Sequence, residues 1–91
     1  MPKDINVRFK SHHYVVIFTE HARTQMNLRQ ITESDVMRVI ENGEIKPKNL
    51  KNRYWVYMKF PKRNDNFISV SISIESTNLI VITALINWSP L

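Results

Sequence analysis

The sequence predicts an α+β fold in which two N-terminal helices pack on an antiparallel sheet of about four strands, in the order β-α-α-β-β-β. Residues 18–43 contain two sets of helix signals separated by a tight turn. Residues 53–88 consist of three β-rich segments joined by short turns, which is typical of an antiparallel meander. The middle segment, Phe67–Glu75, alternates between apolar and polar residues. A sheet with one apolar face needs a cover, and two amphipathic helices provide it.

The first strand and the first helix follow a polar lead-in over residues 1–10, which we expect to be frayed or extended. His13–Phe18 is rich in β-branched and aromatic side chains and predicts the strand. Thr19 is placed to cap the helix, because its hydroxyl can accept a hydrogen bond from the first helical turn. Ala22 and Met26 lie four positions apart and therefore share the face that packs on the sheet.

The second helix has the clearest boundaries, and we place it from about Glu33 to Asn42. Thr32 precedes it and Asp35 follows three residues after Thr32, which is the spacing of a capping box. Gly43 is the one glycine in the sequence, and its position predicts a left-handed residue that ends the helix. The helix residues expected to close the core are Ala22, Met26, Ile31, Val36, Val39 and Ile40.

Three strands complete the predicted sheet: Arg53–Phe60, Phe67–Glu75 and Leu79–Trp88. The last of them is apolar on both faces, as expected of a central strand. Uninterrupted alternation would put Val81 on the same face as Thr83 and on the face opposite to Ile82. The face away from the helices is predicted to be open to solvent and to carry Trp55, Tyr57, Lys59, Ser69, Ser71, Ser73, Thr83 and Asn87.

The length and composition indicate one domain over residues 1–91. The sequence contains no cysteine, which excludes disulfides and thiolate metal sites and fits a reducing compartment. Its N-terminus lacks the apolar core of a signal peptide, and its longest apolar run is too short for a membrane-spanning helix. We therefore expect a cytoplasmic protein that needs no membrane partner.

The placement of charge says more about partners than the net value of +5. Seven basic residues and no acidic residue lie within residues 46–63, where four aromatic residues are interleaved with them. Cations bind phosphates and aromatic rings stack on bases, so this pattern predicts single-stranded nucleic-acid binding. The alternative is that the lysines promote solubility and the aromatics belong to the core. The candidate RNA-binding residues are Arg23, Lys51, Arg53, Trp55, Lys62 and Arg63.

The residue types favour metal-free cleavage of RNA, in which the 2′-hydroxyl of the substrate is the nucleophile. The sequence shows neither a carboxylate or histidine cluster for a two-metal site nor the glycines of a phosphate-binding loop, and we expect no cofactor. Such a reaction needs an acid, a base and donors for the phosphorane charge. Histidine suits the first two roles, as do tyrosine and lysine when neighbouring cations shift them. The candidate catalytic residues are His21, Arg29, Tyr57, Lys59 and Thr83.

Each candidate also has a purely structural interpretation, and these alternatives stay open at this point. His21 begins a helix, and Arg29 suits the dipole at the end of the same helix. Thr83 is a β-branched residue in a strand, where such residues are common. Tyr57 and Trp55 can simply cover the sheet.

One part of the sequence resembles a known family. His21-Ala22, Met26 and the run from Arg29 to Val36 resemble the signature of the bacterial DUF family 4258. The later strand with Thr83 resembles the last strand of that family. The sequence departs from the signature at Gln25, where the family usually has arginine, and at Gln30, where it usually has glycine.

Relatives of this family look like small ribonuclease toxins of the RelE and BrnT kind, in the barnase, colicin and RelE-like fold group. The resemblance implies N-terminal helices on an antiparallel sheet of about four strands, with cleavage of transfer or messenger RNA on the open face. It also implies neutralisation by a cognate antitoxin or immunity protein. His21, Arg29 and Thr83 match family positions. The rival interpretations are a non-catalytic RNA- or protein-binding domain of the same fold and the toxic domain of a secreted effector.

Overall fold

The computed structural model describes residues 5–60 and 67–86. Within these residues the chain forms two helices and six strands. In chain order they are β1 (Ile5–Phe9), β2 (His12–Phe18), α1 (Glu20–Arg29), α2 (Glu33–Asn42), β3 (Glu44–Pro47), β4 (Arg53–Lys59), β5 (Phe67–Glu75) and β6 (Asn78–Ile86). Neither helix in this part of the chain is long and apolar enough to cross a membrane.

All six strands form one mixed sheet in the order β1-β2-β6-β5-β4-β3. The pair β2–β6 is parallel, and the other neighbouring pairs are antiparallel. The predicted order β-α-α-β-β-β with about four antiparallel strands is therefore wrong. The chain adds a strand before the first predicted one and another directly after α2, and the helices connect two parallel strands.

The two missed strands have weak local signals. β1 joins β2 through Lys10 and Ser11, whose positive φ values of 51° and 68° suit a tight two-residue hairpin. The polar residues of β1 make its strand pattern hard to recognise, although the side chains of Val7 and Phe9 are buried, with exposed fractions of 1% and 2%. β3 has four residues and contains Pro47, which on sequence grounds indicates a break or a sheet edge.

The sheet curls so that β1, at one edge, approaches β4, which is four strands away in the sheet order. The ring centroids of Phe9 in β1 and Tyr54 in β4 are 5.4 Å apart. Four strand spacings in a flat sheet would separate these strands by about 19 Å. The Lys10 ammonium also lies 5.0 Å from the Tyr54 ring centroid. This curvature encloses the core together with the helices, and α2 contacts both β1 and β4.

The N-caps of both helices form as predicted. The Thr19 hydroxyl accepts from the Ala22 N–H at 3.0 Å, and α1 ends at Gln30 in the left-handed region, with φ 55°. That conformation gives a physical reason for glycine at this position in the family signature. The capping box of α2 is also present. All six predicted helix core residues are buried: Ala22, Met26, Ile31, Val36, Val39 and Ile40.

Gly43 does not adopt the predicted left-handed conformation. Its φ of −77° and ψ of 173° are extended, because β3 begins at the next residue. Glycine is needed at this position because there is no room for a side chain, and not because the backbone is left-handed. A Cβ atom there would lie 2.5 Å from the Val39 carbonyl oxygen and 2.7 Å from the Tyr57 carbonyl oxygen.

A bulge in β6 overturns the predicted alternation of that strand. Thr83 pairs with Ser71, and Val81 pairs with Ile72, so Ile82 has no direct partner on β5. The bulge puts Val81 on the helix-covered face, opposite to Thr83. It coincides with the beginning of α1, where the Thr19 hydroxyl donates to the Ile82 carbonyl oxygen at 3.2 Å.

Candidate nucleic-acid interface

The sheet face that carries Thr83 is not open to solvent at its centre. The three serines of β5 on this face are 0–6% exposed, so the prediction of a solvated serine face is wrong. Each serine lies in register between a larger residue of β4 and a residue of β6. The flanking side chains cover the serines, and within the described residues every buried side-chain nitrogen and oxygen has a hydrogen-bond partner.

Two neighbouring rows of side chains cross this face. The threonine row consists of Lys46, Trp55, Ser71 and Thr83, one residue from each of four adjacent strands. The tyrosine row consists of Glu44, Tyr57, Ser69 and Leu85. The rows are two residues apart along each strand, or about 7 Å.

Lys48 is the functional candidate that the sequence did not single out. It follows β3, and its ammonium donates a hydrogen bond to the Ser71 hydroxyl while lying 4.4 Å from the Trp55 ring centroid. Its backbone N–H donates to the Arg53 carbonyl oxygen at 2.9 Å, which closes the β3–β4 loop and directs the side chain over the threonine row. Partial burial, followed by the positive charge of Arg53, lowers the pKa of Lys48 below its ordinary value of 10.5.

The basic residues of β3 and β4 converge on the same face. Lys46 belongs to the threonine row, and Arg53 and Lys59 lie on the same side of β4, since they are two and four residues from Trp55 and Lys59 pairs with Phe67. With Lys48, four described cations line one side of the sheet. Among the other predicted RNA-binding residues, Lys51 is exposed in the adjacent loop. Lys62 and Arg63 lie outside the described residues.

The beginning of α1 is tied to β6 beside Thr83. The Thr19 N–H donates to the Val81 carbonyl oxygen at 3.1 Å, in addition to the bond from its hydroxyl to Ile82. β2 ends at Phe18, so the first turn of α1 lies alongside β6 where β2 no longer covers it. His21 is exposed in that first turn, two residues after the tether. The tether therefore holds the start of α1 against residues 81 and 82 of β6, which directly precede Thr83 in the strand.

Two predicted arginines lie elsewhere. Arg29 is eight residues beyond His21, or about 12 Å along the helix axis, where it donates to the Gln25 side chain. Arg23 forms an ion pair with Glu33 at 2.9 Å. It lines a separate cavity between the two helices, so it does not join the cations of the sheet face.

Tyr57 and Lys59 belong to a second cluster rather than to the threonine row. They line a cavity of about 300 Å³ together with Gly43, Glu44 and Phe67. Burial raises the pKa of Tyr57, and its hydrogen bond to the Glu44 carboxylate and the negative charge of that group raise it further. The five predicted catalytic residues are therefore divided among the threonine row, this cavity and two ends of α1.

Potential metal ligands do not converge in the described structure. Within residues 5–60 and 67–86, no three histidine, cysteine, aspartate or glutamate side chains come together in a group that could hold a metal ion. The side chains that do converge near Thr83 are a lysine amine, an indole ring and hydroxyl groups.

Comparison with known proteins identifies the family of the chain but not its activity. No curated protein and no solved structure matches the chain with significance. One family model matches residues 18–86, from the end of β2 to the end of β6, and its description is "Domain of unknown function (DUF4258)". This match covers about three quarters of the chain and includes both rows and α1, so the chain is a member of the DUF4258 family.

Proposed function

We propose that this domain is a metal-independent ribonuclease of the RelE and BrnT toxin kind, which cleaves RNA by attack of the 2′-hydroxyl on the adjacent phosphodiester. The observation that carries the proposal is the position of the Lys48 amine, between the Trp55 ring and Ser71 in the row that ends at Thr83. An amine with a lowered pKa suits the acid of such a reaction, and a neighbouring hydroxyl group suits a donor for the phosphorane charge.

The reaction needs one side chain as the base and another as the acid. The His21 imidazole accepts the proton of the 2′-hydroxyl as its oxygen bonds to phosphorus. The Lys48 ammonium is made more acidic by its surroundings and protonates the departing 5′-oxygen. The O2′–P bond forms as the P–O5′ bond breaks, and the products are a 2′,3′-cyclic phosphate and a free 5′-hydroxyl. One proton has passed to His21 and one has left Lys48.

Other groups bind the substrate and stabilise charge. The Thr83 hydroxyl donates to a non-bridging phosphate oxygen, and the Arg53 guanidinium lowers the energy of the phosphorane dianion. The Trp55 ring stacks on a base. Inhibition by a cognate antitoxin or immunity protein belongs to the same proposal, because a ribonuclease with broad RNA access would harm the cell that makes it.

The direct test is cleavage of a single-stranded RNA oligonucleotide by the purified domain in EDTA. We expect products that end in a 2′,3′-cyclic phosphate, and no cleavage of a matched oligonucleotide with 2′-deoxyribose throughout. Lys48→Met should reduce the rate by about 100-fold or more, because general acid catalysis contributes at least that factor. Arg38→Met is the matched control, since this exposed cation lies on α2.

Two results would contradict the proposal: intact RNA after prolonged incubation with the wild-type domain, or equal rates for wild type and Lys48→Met. In cells, inducible expression should arrest growth, and His21→Ala or Thr83→Ala should abolish the arrest while the proteins remain folded.

A non-catalytic RNA-binding domain is the second candidate. The four cations that line one side of the sheet favour it, because they bind phosphates whether or not a bond is cleaved. If the domain binds RNA and no cleavage product forms, the result supports the RNA-binding domain and not the ribonuclease.

A further inference from the structure

The cavity next to the threonine row contains the groups needed to recognise one particular base. It measures about 300 Å³, at the lower end of the range for small-molecule sites, and part of its lining lies on the sheet face that carries Thr83: Glu44, Tyr57, Lys59 and Phe67. The mechanism above uses none of its side chains. We propose that this cavity binds guanine, so that the domain prefers guanosine at the cleavage site; this inference rests on the proposed ribonuclease function.

The acceptor in the cavity is the Glu44 carboxylate. Glu44 is exposed and lies opposite the buried Tyr57 in the tyrosine row, and the Tyr57 hydroxyl donates a hydrogen bond to its carboxylate. A carboxylate has about four acceptor positions, so this bond orients the group and leaves acceptors for a ligand. Guanine presents two adjacent donors, N1–H and the 2-amino group, which match a carboxylate with two oxygens.

Lys59 supplies the complementary donor. It lines the same cavity as Glu44, and its ammonium has three N–H donors and no acceptor. Guanine has the O6 acceptor next to N1–H, whereas adenine has an amino group at the corresponding position and no 2-amino group. A carboxylate and an ammonium that line the same cavity therefore favour guanine over adenine.

The aromatic surface comes from Phe67. It pairs with Lys59 across β4 and β5, so both side chains leave the sheet on the same face, and it lines the cavity. Stacking on a phenylalanine ring holds a base without regard to its identity. The hydrogen-bonding groups then provide the selectivity that stacking lacks.

The distance between the rows fits a single nucleotide. The tyrosine row lies about 7 Å from the threonine row along the strands. A base in the cavity therefore places the phosphate of the same nucleotide within reach of Lys48 and Thr83. This arrangement predicts cleavage on the 3′ side of guanosine.

Binding of mononucleotides tests the cavity without requiring cleavage. Calorimetry with the full chain should show that guanosine 3′-monophosphate binds at least about tenfold more tightly than adenosine 3′-monophosphate, because a bidentate base contact has that effect. Glu44→Gln should bring the two affinities within about twofold, since an amide replaces one acceptor by a donor. Glu75→Gln, at the far end of β5, should retain the wild-type ratio.

The outcomes separate this inference from the proposed function. Equal affinities of the wild-type domain for the two nucleotides, or a guanine preference that survives in folded Glu44→Gln, would overturn the guanine site. RNA cleavage without base preference would also overturn it while supporting the ribonuclease. Selective guanosine 3′-monophosphate binding without any RNA cleavage would support the guanine site and reject the ribonuclease.

Discussion

The Lys48 ammonium lies 4.4 Å from the centroid of the Trp55 ring, in a chain that places both groups beside Arg53. Partial burial, and after it the positive charge of Arg53, disfavours the charged form of this lysine and lowers the pKa of Lys48. The contact joins a loop residue that follows β3 to a residue of the neighbouring strand β4.

Replacement of Arg53 should therefore raise the pKa of Lys48. We expect Arg53→Met to move this pKa towards 10.5 without reaching it, because the larger cause, burial, is unchanged. A pH titration of the Lys48 side-chain NMR signals measures the effect. Lys51→Met is the control, since its charge is not a cause of the shift, and an equal rise in this variant would show that Arg53 has no special role.

The same shift makes stability depend on pH. Between the lowered pKa of folded Lys48 and the ordinary 10.5, the unfolded chain binds more protons than the folded one, so the free energy of unfolding attributable to Lys48 rises with pH. Below this window both states are protonated and the full penalty for the charged amine is present. Urea unfolding of wild type and Lys48→Met across the window should show this rise in the wild type alone.

RNA affinity should fall steeply with salt. Lys46, Lys48 and Arg53 on one side of the sheet predict a slope of about −2 for log affinity against log salt concentration, at about −0.7 per phosphate contact with a single strand. Lys46→Met should make the slope shallower by about 0.7. Fluorescence anisotropy between low and moderate salt measures both values. A slope near zero in the wild type would remove the basis for phosphate binding on this face.

The two helix caps should differ in their effect on activity. Thr19→Val and Thr32→Val each remove a capping hydroxyl, and each should lower the free energy of unfolding by about 1 kcal/mol. Thr19 also bonds to the Ile82 carbonyl oxygen beside Thr83, so only Thr19→Val should misplace His21 and reduce RNA cleavage beyond the loss of folded protein. Thr19→Ser keeps the hydroxyl and should restore the rate. Equal cleavage by both valine variants would separate the tether from the reaction.

The junction between α2 and β3 should not tolerate a methyl group. Gly43→Ala places a Cβ within 2.5 Å of the Val39 carbonyl oxygen and 2.7 Å of the Tyr57 carbonyl oxygen, and neither backbone can move freely. We expect the free energy of unfolding to fall by about 1–3 kcal/mol, as in other overpacked sites. Ser34→Ala, exposed in the same helix, should change it by less than about 0.5 kcal/mol. An unchanged denaturation midpoint for Gly43→Ala would contradict the predicted clash.

Signals that act over a few residues could be predicted from the sequence. Thr19 and Thr32 cap their helices as expected, and the predicted helix core is buried, because a cap and an amphipathic stripe depend on neighbours within one or two turns. The alternation of β5 also put Ser71 on the correct face. Family membership was evident from residues 21–36, since the signature is local.

Contacts between distant residues decided the rest. The pairing of β2 with β6 and the capture of β1 and β3 depend on long-range hydrogen bonds that composition does not encode. The bulge in β6, to which Thr19 is bonded, put Thr83 and Val81 on opposite faces of the sheet. Larger neighbouring side chains buried the serines of β5, whose alternating pattern had indicated exposure to solvent. Sequence alone thus determined the helices, the core residues that they contribute and the basic character of residues 46–63. Only the tertiary structure brought Lys48 onto Ser71 and Trp55 and divided the candidate residues, because strand register and loop closure set which side chains meet.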